Sequence, residues 1–87
     1  MKKLSSNTDL YNYLQSLGDL LAGRGAPQLA ETVRFAARQG TGLSTEFLGE
    51  SRIALRQVLN AEGAALQMHE KDELRGVISQ VETALRR

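Results

Sequence analysis

Leu74-Arg75-Gly76-Val77-Ile78-Ser79-Gln80-Val81-Glu82-Thr83-Ala84-Leu85 decides the fold class. Its apolar residues fall at Leu74, Val77, Ile78, Val81, Ala84 and Leu85. That is the spacing of one helical face and not the period-two alternation of a strand. It predicts a helix that begins near His69 and runs over 69–86. Glu70, Asp72 and Glu73 lie in its first turn, and Arg86 and Arg87 close its last. Both placements complement the helix dipole.

Working back along the chain, the same spacing recurs three times. Phe47, Leu48, Ser51, Ala54, Leu55, Val58 and Leu59 form a stripe over 45–61, which Gly63 stops. Ser44 is placed to cap that helix, and Leu43 and Leu48 are spaced as a hydrophobic staple around it. Gly40 and Gly42 break the chain ahead of it. Pro27 opens a shorter, alanine-rich helix over 27–39, because a first-turn proline sacrifices no helical hydrogen bond. Leu29, Val33, Ala36 and Ala37 lie on one side of it. Leu10, Tyr13, Leu14, Leu17, Leu20 and Leu21 define the first helix, over 8–23. Asn7 or Thr8 is its expected cap, Asp9 complements its dipole, and Gly23-Arg24-Gly25 ends it. Residues 1–6 are expected to be disordered. Four amphipathic helices on short connections imply antiparallel neighbours. The expected architecture is therefore all-α: one domain over 1–87, folded as a compact antiparallel four-helix bundle.

Composition narrows the function. The 41% hydrophobic content is that of a folded chain. Eleven Lys and Arg against ten Asp and Glu leave a net charge of +1. A nucleic-acid binder is expected to carry a basic excess and a nucleic-acid mimic an acidic one, so neither class is favoured. The chain has no cysteine, which excludes disulfides and thiol chemistry and fits a cytoplasmic protein. Met1-Lys2-Lys3-Leu4-Ser5-Ser6 has no apolar stretch behind its lysines and does not read as a secretory signal. No apolar run approaches the ~20 residues that span a bilayer.

Catalytic chemistry is not expected either. An enzyme needs titratable groups converging on one pocket. The single histidine, His69, lies at a helix start, where a capping or exposed role accounts for it. Gly40-Thr41-Gly42 is too short for a phosphate loop and follows a helix instead of a strand. No catalytic residue, cofactor or metal site is assigned.

The informative residues are those that break the helical pattern. Phe35 points away from Leu29, Val33 and Ala36, toward Gln28, Glu31, Arg38 and Gln39. Either the second helix packs on two sides and buries it, or it is an exposed binding anchor. Ile53 lies opposite the Phe47–Leu55–Val58 stripe, among Gly49, Arg56, Gln57 and Asn60. Gly18, Gly49 and Gly76 each cost a helix interior ~1 kcal/mol relative to alanine. Gly18 sits at the edge of a core stripe, where close helix approach explains it. Gly49 faces outward, where the approach of a partner's backbone would. Glu46, Gly49, Glu50, Ile53, Arg56 and Asn60, with Phe35, are the candidate partner-binding residues. Arg34/Arg38 and Arg52/Arg56 are each one turn apart; such pairs can grip carboxylates or phosphates, though a solvated surface is their commoner role.

The segment Ser44-Thr45-Glu46-Phe47-Leu48-Gly49-Glu50-Ser51-Arg52-Ile53-Ala54-Leu55-Arg56-Gln57-Val58-Leu59, in a chain of this size, resembles small all-helical bacterial proteins of the immunity type. The likeness spans roughly the second to fourth helices. It implies a non-enzymatic inhibitor that neutralises a toxin or enzyme in a tight one-to-one complex, with the third helix and its preceding loop as the contact. Immunity proteins against basic nucleases are often strongly acidic, and this chain is not, which argues against a nuclease target. Two other classes remain open. Thr32-Val33 through Ala36, Gly40 and Ser44 loosely follow a helix-turn-helix regulator. Its turn is too long, however, and Glu46 and Glu50 would meet DNA phosphates. A homo-oligomeric scaffold would bury Phe35 or Ile53 against a second copy.

Overall fold

Four α-helices form where the apolar stripes lie: α1 (Asn7–Gly23), α2 (Pro27–Arg38), α3 (Ser44–Asn60) and α4 (Met68–Leu85). This computed structural model describes residues 7–38, 44–61 and 66–86, without the side chains of Asn7 and Ser44. The turns assigned to Gly40, Gly42 and Gly63, the Leu43 staple, the Ser44 cap, Arg87 and the segment ahead of Asn7 lie outside the described residues. The protein is an all-α antiparallel bundle in which α1 packs on α2, α2 on α3 and α3 on α4. Its radius of gyration, 11.8 Å, matches the ~12 Å expected of a compact chain this long.

The core draws on every helix. Leu10, Leu14 and Leu21 of α1, Val33 of α2, Phe47, Leu55 and Val58 of α3, and Leu74, Val77 and Val81 of α4 are all buried. Each such side chain contributes about 1.5–3 kcal/mol relative to leaving it in water. Leu20, Leu29, Leu48, Leu59 and Leu85 of the expected stripes are half-buried and pack against the rim of this core. Ala84 departs from expectation and is exposed. It lies at the margin of the α4 arc, in the last turn. Ala30, which the sequence did not single out, is buried with Ala36 and Ala37. These small side chains give α2 a wide buried arc between its two neighbours.

Local chemistry sets the first turn. Gly25 has φ 82°, the left-handed conformation that only glycine adopts without strain. The Ala26 N–H donates to the Leu21 carbonyl at 2.9 Å and the Gly25 N–H to the Ala22 carbonyl at 3.4 Å, a Schellman arrangement. Ala26 is itself buried beside Leu21. Its carbonyl accepts the first hydrogen bond of α2, from the Ala30 N–H at 3.0 Å. One alanine thus closes α1 and opens α2, which is why Pro27 follows immediately.

Gly18 lies where α1 meets α2. A Cβ there would lie 3.2 Å from Arg34 Cγ and 3.7 Å from the Ala30 carbonyl oxygen. The Arg34 chain lies across this gap and reaches Asp19 at 3.0 Å. The start of α4 falls one residue before His69, at Met68. There the Glu70 carboxylate accepts from the Gln67 backbone N–H at 2.8 Å. It also pairs with Arg24, tying the α1–α2 turn to the N-terminus of α4.

Leu55 and Ser51 make a contrasting pair. Both are fully buried on α3, yet the Ser51 hydroxyl finds no hydrogen-bond partner among the described residues. Leu55→Ala is expected to cost ~2–5 kcal/mol through lost transfer energy and a cavity. Ser51→Ala removes an unsatisfied group and is expected to stabilise by about 1 kcal/mol. Urea unfolding of both variants checks the orientation of α3, which a harmless Leu55→Ala would contradict.

Candidate protein-binding face

Once α2 turns Ala30, Val33, Ala36 and Ala37 inward, Phe35 is left on its outer side. Once α3 turns Phe47, Leu55 and Val58 inward, Ile53 is left on its outer side. Each is 51% exposed. The reading in which α2 packs on two sides and buries Phe35 is therefore overturned: the arc that meets α1 and α3 is filled by small residues and does not extend to position 35.

The two side chains come from different helices but share one shallow depression. Glu31, Thr32 and Arg38 of α2 and Glu50 and Gln57 of α3 surround it. Ala36 and Ala54, both buried, form its floor. On the far side of Ile53 a second depression is lined by Arg52, Arg56, Gln57, Asn60 and Ala61. Ile53 thus stands on the ridge between the two, as the central apolar group of the face.

The structure brings Phe35, Glu50 and Ile53 together and sets Arg56 and Asn60 beside them. Glu46, exposed, and Gly49, half-exposed, lie on the preceding turns of the same α3 stripe but line neither depression. A Cβ at Gly49 would meet nothing within 4 Å. Internal packing therefore gives no return for its helix-propensity cost, which is ~1 kcal/mol relative to alanine. Among the described residues two other large apolar side chains are exposed, Tyr11 on α1 and Met68 on α4, and neither lines these depressions.

Charges frame the face in a fixed arrangement. Arg52 Nε donates to Glu82 Oε2 at 3.1 Å, and Arg56 donates to the same oxygen. The Arg56 hydrogen bond outweighs the desolvation of Glu82 and, with Arg52, holds its carboxyl below the ordinary value of 4.5. Glu70 is lowered in the same way by Arg24 and by the Gln67 N–H. On α2, Arg38 approaches Glu31 at 3.7 Å. Sequence reasoning had Arg52 and Arg56 as a pair able to grip a carboxylate, but not that Glu82, on the next helix, already offers one. It had Glu70 serving the α4 dipole, but missed Arg24, 46 residues away. Burial pushes the Tyr13 phenol well above its ordinary value, reinforced by Glu73 and then Glu70 on α4.

Among the described residues no three His, Asp or Glu side chains come together in a way that would hold a metal ion. His69 is exposed. No described helix is long and apolar enough to cross a membrane. No family model matches the chain, and neither the curated proteins nor the solved structures include a significant match.

The two lowered carboxyls set an acid limit on stability. A group whose folded value lies below its unfolded value contributes stability that is complete above the unfolded value. That contribution is lost as pH falls through the folded one. The contributions of Glu70 and Glu82 are therefore present above 4.5 and decline below it. Urea midpoints measured from about pH 6 to about pH 3 are expected to fall in the acid range, and less steeply in Glu82→Gln. An identical acid slope in that variant would show that the arginine pair does not act on Glu82 in solution.

Proposed function

We propose that the protein is a non-enzymatic binding module whose outer α2–α3 face docks onto another protein. The most specific form of this reading is a bacterial immunity-type inhibitor, acting in the cytoplasm, that neutralises a toxin or enzyme by one-to-one binding. The observation that carries it is the shared depression at Phe35 and Ile53. Two large apolar side chains from separate helices, each half in water, lie within a frame of charged groups. Interface hot spots have this composition: an apolar centre that is desolvated on binding, surrounded by polar groups that exclude water. Gly49 adds support, because its bare backbone offers a close approach that the fold itself does not use.

Against DNA, the same face presents Glu46 and Glu50 where a recognition helix would meet phosphates. Inhibition follows from steric coverage if the partner's active site lies under the face, or from distortion if it lies beside it.

The test is affinity capture from the native cells with wild-type protein and Ile53→Arg in parallel, recording the 260/280 nm absorbance of the eluate. Wild type is expected to retain one stoichiometric protein partner without nucleic acid. Ile53→Arg is expected to lose it while keeping its helical circular-dichroism signal. A partner retained equally by Ile53→Arg would remove this face from consideration. Nucleic acid in the eluate would favour the regulator class, and a second copy of the chain would favour the scaffold.

A further inference from the structure

Beyond Ile53, the face continues onto the seam between α3 and α4, where its chemistry becomes one-sided. Arg52 and Arg56 lie one turn apart on α3, and Glu82 lies on α4 one turn before Arg86, its C-cap. Arg52, Glu82, Leu85 and Arg86 line one depression, and Arg52, Ile53, Arg56, Gln57, Asn60 and Ala61 line its neighbour. Glu82 is the single acid among the residues lining these two. Among these lining residues three guanidiniums stand against one carboxylate, which pairs with Arg52 and Arg56, so the lining carries an excess of two positive charges.

Hydrogen-bond capacity is left over as well. Both arginine bonds end on Glu82 Oε2. Each guanidinium carries five N–H donors in a planar fork, and these contacts use one from each. The side chains of Arg52 and Arg56 are 46% and 51% exposed, so each remains accessible to a further acceptor. Arg86 is exposed and makes no ion pair with any described residue. Glu82 holds the first two in place, which lowers the ordering cost of a second anion arriving beside them.

Resting on the proposed protein-binding function, we infer that this seam receives side-chain carboxylates, so that the partner's contact segment is acidic and carries a large apolar residue for Ile53. Arginine forks match carboxylate geometry in bidentate fashion. The apolar requirement follows from Ile53, which shares a depression with Arg52 and Arg56. A nucleic-acid backbone fits less well. Glu50, which lines the depression on the other side of Ile53, would repel the phosphates, and the polar sugars offer no large apolar group to set against Ile53.

The experiment is an NMR titration of the full chain, following the arginine Nε–Hε signals and the Ile53 methyl groups. The probes are a capped tripeptide of glutamate, leucine and aspartate, its uncharged glutamine, leucine and asparagine counterpart, and inorganic phosphate. The acidic peptide is expected to shift the Arg56, Arg86 and Ile53 signals together and to bind at least about tenfold more tightly than the uncharged one. An Arg56→Gln/Arg86→Gln double variant is expected to lose that advantage while remaining folded. Equal affinity for the two peptides, or phosphate binding as tightly as the acidic peptide, would overturn the inference. The double variant also separates the two claims. If it captures the cellular partner as well as wild type does, and Ile53→Arg does not, the acidic segment is wrong and the docking face stands.

Discussion

A helix has one side to give to a core, and on α3 that side is taken by Phe47, Ala54, Leu55 and Val58. Successive residues turn by about 100°, so a stripe at these positions leaves Ile53 facing away from it. The same geometry on α2, with Ala30, Val33, Ala36 and Ala37 inside, sends Phe35 outward. Antiparallel packing then lays the outer sides of α2 and α3 next to each other. The exposed apolar pair is thus a by-product of neither turn chemistry nor loop shape. It follows from which residues the core requires, combined with two large apolar residues placed where the core cannot use them.

The ion pairs hold this arrangement at its edges. Arg24 with Glu70 anchors the α1–α2 turn to the start of α4, and Arg52 and Arg56 with Glu82 join α3 to α4. Exposed pairs of this kind contribute little individually, typically below about 1 kcal/mol. Their value here is positional. They bring guanidiniums to one flank of Ile53 and hold them there, which gives the face an apolar centre with a cationic side and, through Glu46 and Glu50, an acidic approach.

Much of the fold was legible because helical periodicity is a local property of the chain. The α4 stripe, the Pro27 start, the stop at Gly23-Arg24-Gly25 and the inward side of α3 depend on residues within a few turns of each other. The place of Gly18 at the α1–α2 contact was legible too, since it sits at the edge of a core stripe, where a Cβ would press on the Arg34 side chain. What stayed hidden depends on which helix lies against which, and at what register. Arg24 and Glu70 are far apart in sequence, and nothing local marks them as partners. Phe35 had two readings because the width of the buried arc on α2 is set by its neighbours. On the candidate face, single residues were legible as pattern-breakers. Their convergence was not, and neither was the fact that Glu46 and Gly49 would lie apart from the two depressions.

Phe35 and Ile53 act as one surface if they desolvate against the same group of a partner, and this is the claim on which the functional account turns. A double-mutant cycle on partner affinity, using Phe35→Ala, Ile53→Ala and the double variant, measures it directly. Side chains that share a binding partner couple, and a coupling energy of about 1 kcal/mol is expected. Additive effects, within about 0.3 kcal/mol, would mean that the two residues work independently and that the shared depression is not a binding site.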